Sequence, residues 1–369
     1  MGGTFYSDEA AEARVADRVA AGKPAVSSYT ADIRSGVVAS KVHKDLDPKG
    51  LVMRESRDSA AHPEAVPVIL VLDETGSMES VIRQIQRSVR SIMKLLIGKG
   101  YLPHPHIMVM GIGDVPNGET APLQVSQFEA DDKIEQNIDN LYIEGAGGGS
   151  NHESYQNAAY VAAYKTSTDH FEKRGQRGYL FIIGDEMNHP FRAVEVRALI
   201  GTTTEMGQEI DGLTNETIYA AVRERWNTFF VLPKNASNGG SKVIMSHWKK
   251  LLGEEHVLEL ADENAAGEFV ALLFHDAQIA KGSEQALLSL ILGVFECSNT
   301  KTFEETAQFF VAVFKFVGFG IGGSGALSQR VILILRRKDL SILGLDLRGG
   351  DLERNVQFLI FEPVIRTQT

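Results

Sequence analysis

Three oxygen-bearing side chains follow an apolar run in the first quarter of the chain. Residues 66–72 are continuously apolar, and Asp73 comes directly after them, with Thr75 and Ser77 two and four positions further on. A carboxylate and two hydroxyls at this spacing can converge on one point. Such oxygens are the ligands that hard divalent cations such as Mg²⁺ prefer in proteins. The segment therefore predicts one part of a cation site.

Two further loops carry polar residues of the same kinds. A glycine-rich stretch at residues 147–153 contains Ser150 and Glu153, and Asp185 follows a second apolar run at residues 179–183. If these runs are neighbouring parallel strands, their carboxyl ends lie at one edge of the sheet, where α/β proteins bind ligands. The three loops would then supply one site together.

The first loop also has a simpler interpretation. Acidic and hydroxyl residues just before a helix often cap its free amide groups, without any metal. The second and third loops favour the cation site over this alternative. Asp114, Glu186 and His189 also fall at the predicted binding edge, and we expect them to support the ligands or form the rim rather than bind the metal themselves.

Strand and helix patterns alternate through the middle of the chain. The predicted strands cover residues 66–72, 106–112, 123–128 (as an edge strand), 179–183, 228–232 and 256–260. The predicted helices cover residues 81–96, 131–141, 153–165, 192–200, 215–225, 242–252 and 265–280. This alternation predicts an α/β fold, with a Rossmann-like, doubly wound and mostly parallel sheet between two layers of helices.

The 369 residues divide into three predicted parts. Residues 1–65 are polar and lack sustained apolar periodicity, which predicts an N-terminal arm that packs along the main domain. Residues 66–282 form the α/β domain. Residues 283–369 predict a small C-terminal α+β appendage, because apolar helical patterns there are followed by short strand patterns.

The order of these polar motifs resembles the metal-ion-dependent adhesion site (MIDAS) of von Willebrand factor A domains. The resemblance rests on Asp73-x-Thr75-x-Ser77, then a glycine-rich loop with a hydroxyl and an acid, then Asp185 at a strand end, and it covers residues 66–282. It implies the von Willebrand factor A fold. It also implies that the first three residues coordinate the metal directly and that Asp185 acts largely through water.

The middle loop departs from the commonest pattern of that family, which has a threonine after the glycines. Here Ser150 takes that place, and Glu153 lies at the predicted start of the following helix. Some relatives use a glutamate in this loop, so both residues remain candidate ligands, with Glu153 slightly favoured. A glutamate ligand adds negative charge, and the site would then accept Mn²⁺ or Ca²⁺ as well as Mg²⁺.

The resemblance implies a protein-binding module. A metal with an open position would capture an Asp or Glu side chain of a partner, within an intracellular multiprotein assembly that can include an AAA+ ATPase. One alternative is a structural assembly component whose metal only stabilises it. A metal-assisted hydrolase, with Glu153 or His189 near the metal, is a further alternative, but the sequence contains no catalytic motif and we expect no enzyme.

The composition indicates which class of partner and which cellular compartment to expect. The net charge of -11 disfavours nucleic acid as a partner, because phosphate binding needs clustered Lys and Arg. The single cysteine, Cys297, cannot form an internal disulfide, and no apolar secretory segment is visible, so we expect a cytoplasmic protein.

The apolar stretch 309–327 is interrupted by Lys315 and glycines, which predicts a packed helix rather than a membrane span. Glycines at 318–323 lack the strand-before-helix context of a dinucleotide site.

Overall fold

The structure, a computed structural model, describes residues 6–93, 102, 104–145, 150–201, 210–234, 236–260, 343–346 and 357–360. The chain divides into two compact units, Met1–Val294 and Phe295–Thr369. The sequence predictions that lie outside the described residues are the helix at 265–280, the boundary at 282, Cys297 and the apolar stretch 309–327 with its glycines. Among the described residues, no helix is both long and apolar enough to cross a membrane.

A six-stranded sheet forms the centre of the first unit, within the described residues. The strands, in chain order, are β1 (Arg54–Ser56), β2 (Val66–Asp73), β3 (Pro105–Ile112), β4 (Leu123–Val125), β5 (His152–Glu153), β6 (Thr166–Thr168), β7 (Gly178–Ile183), β8 (Met187–Asn188), β9 (Trp226–Pro233), β10 (Val257–Leu260), β11 (Leu343–Asp346) and β12 (Gln357–Ile360). The main sheet has the order β10-β9-β7-β2-β3-β4. All of its neighbouring strands are parallel except β3 and β4, which are antiparallel, so the predicted mostly parallel α/β fold is confirmed.

Helices cover the sheet. In chain order they are α1 (Asp8–Ala20), α2 (Ser28–Arg34), α3 (Glu79–Met93), α4 (Lys133–Asp139), α5 (Tyr155–Tyr164), α6 (Asp169–Glu172), α7 (Ala193–Ile200), α8 (Asn215–Arg225) and α9 (Lys242–Leu252). Alternate residues of β2, such as Ile69 and Val71, share one hydrophobic cluster with residues of α5, α8 and α9. The intervening residues Val68, Leu70 and Leu72 point to the opposite face and are buried as well. Burial on both faces explains why the strand sequences are continuously apolar rather than alternating.

One predicted helix start is wrong. The pattern at residues 153–165 predicts a helix that begins at Glu153, but Glu153 ends β5, which pairs in parallel with β8, and α5 begins at Tyr155. The backbone amide of His189 donates to the carbonyl of Glu153 at 3.1 Å, and the Ser154 amide donates to the carbonyl of Gly113 at 3.1 Å. These long-range bonds hold the segment extended, and the helical periodicity of the following residues does not reveal them.

Other differences are smaller. The predicted edge strand at 123–128 is indeed the antiparallel edge strand β4, but it ends at Val125. Trp226, which lies between the predicted helix 215–225 and the predicted strand 228–232, begins β9, and both Trp226 and Trp248 are buried in the core. In the second unit, β11 and β12 form an antiparallel pair at positions where short strands were predicted.

The residues before β2 form two helices and a short strand that contact the α/β sheet unit. Arg14 in α1 donates to Asp132 at 2.7 Å, and β1 pairs in parallel with β6. The Thr30 hydroxyl in α2 donates to the carbonyl of Leu141 and accepts from the amide of Ile143, both at 3.0 Å. The Thr30 side chain therefore satisfies two backbone groups of the loop that leads towards the glycine-rich segment.

A close approach between three strands requires a glycine at position 178. A Cβ atom on Gly178 would lie 2.5 Å from the Trp226 ring and 2.8 Å from the carbonyl oxygen of Pro67. We expect Gly178→Ala to lower the free energy of unfolding in urea by about 1–3 kcal/mol, because the strands must move apart. Gly212→Ala is the control, since no atom of the described residues lies within 4 Å of its Cβ position. Equal losses in both variants would show that close packing is not the cause.

Candidate metal centre

The strand order places the first and third predicted loops side by side. β2 lies between β3 and β7 in the sheet, and both neighbours are parallel to it. The chain continues from β2 to β3 on one side, whereas β7 continues to β9 on the other side. The connections therefore diverge between β2 and β7, and α/β sheets bind ligands outside the carboxyl ends of the strands at such a point. Asp73 ends β2, and Asp185 follows the last residue of β7 by two positions.

Four of the predicted ligands form one hydrogen-bonded row. The Thr75 hydroxyl donates to Asp73 Oδ1 at 2.6 Å, and the Thr75 amide donates to the same oxygen at 3.0 Å. The hydroxyls of Thr75 and Ser77 lie 3.2 Å apart. The Ser77 hydroxyl in turn donates to Asp185 Oδ1 at 2.8 Å, and the amide of Asn238 donates to Asp185 Oδ2 at 3.0 Å. The row thus joins the ends of two neighbouring strands.

The chemistry of this row fits a hard divalent cation. Each hydroxyl gives its proton to a carboxylate, so the oxygen lone pairs of Thr75 and Ser77 are available to a metal. The capping alternative does not describe these contacts, because Thr75 makes no side-chain capping bond to the 3₁₀ helix Gly76–Met78. Among the described residues, no group of three or more His, Cys, Asp or Glu side chains is arranged to hold a metal ion. The candidate site differs from such groups because two of its four residues, Thr75 and Ser77, contribute hydroxyl oxygens.

Glu153 supplies a second sign of a cation. Its side chain is only 1% exposed, and its Oε2 atom has no hydrogen-bond partner among the described residues. Burial, followed by the charges of Asp73, Glu186 and Asp114, raises the pKa of Glu153 to about 11. A buried acid with an unpaired oxygen is costly, and a bound cation would remove both the unpaired atom and the like-charge repulsion.

The surrounding carboxyl groups are affected in the same way. Burial, followed by contributions from neighbouring carboxylates, raises the pKa of Glu186 to about 8. The pKa of Glu119 rises to about 7 and that of Asp73 to about 6, again with burial as the largest cause. Asp114 pairs with His189, whose Nε2 lies 3.0 Å from Asp114 Oδ1. The carboxyl ends of the strands therefore carry crowded carboxyl groups that resist ionisation together, and a divalent cation would favour their ionised forms.

These pKa values predict how the stability of the metal-free protein depends on pH. Because the folded-state values are raised, the folded protein binds more protons than the unfolded chain between the ordinary carboxyl pKa and the raised ones. In EDTA, the free energy of unfolding should therefore decrease as pH rises from 6.5 to 8.5, by about 1 kcal/mol per pH unit. This range lies above the ordinary histidine pKa, so histidine titration does not obscure the slope.

Urea unfolding at several pH values, in EDTA and in excess Mg²⁺, measures this slope. We expect Mg²⁺ to flatten it, because the cation favours the ionised carboxylates. A free energy of unfolding in EDTA that stays constant or increases with pH would contradict the raised pKa values of these carboxyl groups.

Ser150 is placed differently from the other predicted ligands. Its side chain is exposed, and its hydroxyl donates to the carbonyl of His152, in its own loop, at 3.4 Å. The structure therefore brings Asp73, Thr75, Ser77 and Asp185 into direct contact, and Glu153 lies among the same carboxylates. It does not bring Ser150 into that row.

Three other contacts at the site could not be predicted from the sequence. The Tyr155 hydroxyl donates to Asp73 Oδ2, although the residue reads in sequence as one of several aromatic positions in a helix. The Asn238 contact uses a backbone amide, which no residue type can reveal. Glu74, beside the first ligand, is buried and accepts a hydrogen bond from Gln124, directly under Gly111, where a Cβ atom would lie 2.0 Å from Glu74 Oε1.

Comparison with known proteins gives only distant structural similarity. No family model and no curated protein matches the chain. A pilus adhesin, SpaC from Lactobacillus rhamnosus GG in its open conformation, is similar with 12% identity and a TM-score of 0.41, over 60% of this chain and 31% of that one. Proximal thread matrix protein 1 from the mussel byssus is similar with 12% identity and a TM-score of 0.35, over 61% of this chain and 46% of that one. The same protein with a zinc-occupied MIDAS motif gives 12% identity and a TM-score of 0.35, over 62% and 47% of the two chains. The similarity spans less than half the length of each of these proteins.

Proposed function

We propose that this chain contains a von Willebrand factor A-like module that holds a divalent cation, preferably Mg²⁺, and captures a carboxylate of a protein partner. The observation that carries the proposal is the hydrogen-bonded row from Asp73 through Thr75 and Ser77 to Asp185, at the ends of two neighbouring parallel strands. The first three residues would bind the metal directly. Asp185 would orient Ser77 and bind through water.

Charge explains why the cation would control partner binding. Without a metal, the carboxyl ends of the strands are acidic and repel an approaching carboxylate. A bound divalent cation becomes the largest local charge and reverses this preference. Because the protein contributes few direct ligands, a coordination position remains for an Asp or Glu of the partner. The complex would then form only when metal is present.

For the middle loop we propose Glu153 rather than Ser150 as the ligand. Glu153 is buried among the other carboxylates, and its Oε2 atom has no hydrogen-bond partner in the part of the chain that the structure describes, whereas the Ser150 hydroxyl is exposed and bonds within its own loop. Together with Asp73, Glu153 would give the site two carboxylates. That charge would allow Mn²⁺ or Ca²⁺ to bind as well as Mg²⁺.

The wider role is proposed on the sequence resemblance alone. We expect the partner to be a protein that presents Asp or Glu, in a cytoplasmic assembly that can include an AAA+ ATPase, and we expect no nucleic-acid partner. We also expect binding rather than catalysis. A screen for phosphatase and phosphodiesterase activity with Mn²⁺ tests the hydrolase alternative.

Mn²⁺ is the most informative probe of the proposal, because water relaxation reports on its open positions. We expect the wild-type protein to bind Mn²⁺ and enhance the relaxation of water protons. A short peptide with one Asp should reduce the enhancement by displacing bound water, whereas the same peptide with Asn should not. Thr75→Val should weaken Mn²⁺ binding about tenfold or more, because it removes a ligand.

Thr228→Val is the matched control for this variant. Thr228 is equally buried, but its hydroxyl donates to the carbonyl of Trp226 at 3.3 Å, at the start of β9 rather than at the carboxyl ends of the strands. Failure of the wild type to bind Mn²⁺ or Mg²⁺ would refute the proposal. Metal binding with no response to the Asp peptide would instead support the alternative of a metal that only stabilises a structural component.

A further inference from the structure

The Asp73 carboxylate is held at both of its oxygens by the protein. The hydroxyl and the amide of Thr75 donate to Oδ1, and the hydroxyl of Tyr155 donates to Oδ2. Thr75 belongs to the same loop as Asp73 and moves with it. Tyr155 comes from α5, more than 80 residues later in the chain, and is thus an independent anchor.

The position of the Tyr155 hydroxyl is itself fixed by packing. The ring is fully buried and makes edge contacts with Phe230 and Trp248, at centroid distances of 6.2 and 5.4 Å. The hydroxyl passes over Gly184, where a Cβ atom would lie only 2.0 Å from it. The Tyr155 hydroxyl can occupy this position because residue 184, directly before Asp185, is a glycine without a Cβ atom. The rigid ring cannot follow the carboxylate if Asp73 rotates.

We propose that Tyr155 is a positioning residue that fixes the rotation of the Asp73 carboxylate and so makes the site selective for Mg²⁺ over Ca²⁺. This inference rests on the proposed function, since it concerns the same metal. Mg²⁺ requires near-octahedral geometry with short metal–oxygen distances, whereas Ca²⁺ accepts six to eight ligands in variable arrangements. A carboxylate that is free to rotate therefore weakens Mg²⁺ binding more than Ca²⁺ binding.

Tyr155→Phe tests the inference, because it removes only the hydroxyl. Calorimetric titrations with Mg²⁺ alone and with Ca²⁺ alone give the two dissociation constants. We expect the variant to bind Mg²⁺ about tenfold more weakly and Ca²⁺ less than about threefold more weakly, in the range typical of residues that orient metal ligands. The ratio of the two constants is the readout, since a general loss of stability would weaken both ions alike.

Tyr219→Phe is a closely matched control. Tyr219 is also fully buried and also makes an edge contact with Trp248, at 5.8 Å, but its hydroxyl donates to Asn188 at 3.2 Å instead of to Asp73. We expect this variant to keep the wild-type ratio. Gly184→Ala is a second test variant, because its Cβ atom would displace the phenol from inside the site; it should lower the Mg²⁺ preference as Tyr155→Phe does.

The outcomes separate the two proposals. A wild-type protein that binds both ions, together with an unchanged ratio in Tyr155→Phe, overturns the role of Tyr155 and leaves the metal site standing. If Tyr219→Phe changes the ratio of the Mg²⁺ and Ca²⁺ dissociation constants as much as Tyr155→Phe does, the role of Tyr155 is also overturned. The effect would then come from the aromatic packing that both tyrosines share. A wild type that binds neither ion overturns both proposals.

Discussion

Asp73→Asn is expected to weaken Mg²⁺ binding at least about 100-fold while leaving the metal-free protein folded. Asp73 is fully buried at the end of β2, and its carboxylate is the one charge in direct contact with Thr75 in the oxygen row. An amide keeps the size and one acceptor oxygen but removes the charge, which is the main attraction for a hard cation. Calorimetry measures the affinity, and thermal unfolding in EDTA measures the stability.

In Asp73→Asn the Mg²⁺ affinity should fall, whereas the thermal stability in EDTA should stay the same or rise. Burial raises the pKa of Asp73 to about 6, so at pH 8 the ionised group is under strain in the metal-free protein. The variant should therefore melt in EDTA at the wild-type temperature or above it, and Mg²⁺ should no longer raise that temperature. Asp211→Asn is the control, since it makes the same change of charge at an exposed side chain paired with Arg197. Full Mg²⁺ affinity in Asp73→Asn would exclude this residue as a ligand.

Glu153→Gln and Ser150→Ala are expected to differ strongly. Glu153→Gln should weaken Mg²⁺ binding by about 10- to 100-fold, because a buried carboxylate of the site is lost. The same variant should be more stable than wild type at pH 8 in EDTA, by about 1–3 kcal/mol, because the wild-type carboxyl group, with a pKa of about 11 in the folded protein, must take up a proton on folding and Gln does not. Ser150→Ala should leave the affinity within about twofold, since its exposed hydroxyl donates to the His152 carbonyl in its own loop.

This pair decides which residue of the middle loop binds the metal. Titration of both variants with Mg²⁺, and urea unfolding of both in EDTA, provide the comparison. A large affinity loss in Ser150→Ala, with little change in Glu153→Gln, would reverse the proposed assignment. The serine would then have to leave its bond to His152 when metal binds.

Local sequence patterns predicted the elements well because the physical causes are themselves local. A strand that is covered by helices on both faces must be apolar at every position, and residues 66–72 show this directly. The helices at Asn215–Arg225 and Lys242–Leu252 have the bounds that their periodicity predicted. The loop with Asp73 and Thr75 could also be recognised, because the spacing of its ligands is fixed within a few residues of chain.

Predictions failed where distant segments determine the local conformation. Glu153 lies in a helical sequence pattern, but pairing of β5 with β8 keeps it extended. Trp226 comes directly after the predicted helix 215–225, and pairing with β7 places it in β9. In each case hydrogen bonds to residues far away in the chain outweigh a modest local preference, and such partners cannot be identified from periodicity.

The sequence by itself determined the alternating α/β fold and a first loop whose carboxylate and hydroxyl side chains, of the kinds that hard cations prefer, lie at a strand end. Only the tertiary structure decided that β2 and β7 are neighbours, which brings Asp185 within hydrogen-bond distance of Ser77. It also decided that Glu153 is buried beside them and that Tyr155 holds Asp73. The physical reason is that ligand spacing within one loop is set by covalent geometry, whereas contacts between loops depend on the order in which strands pair.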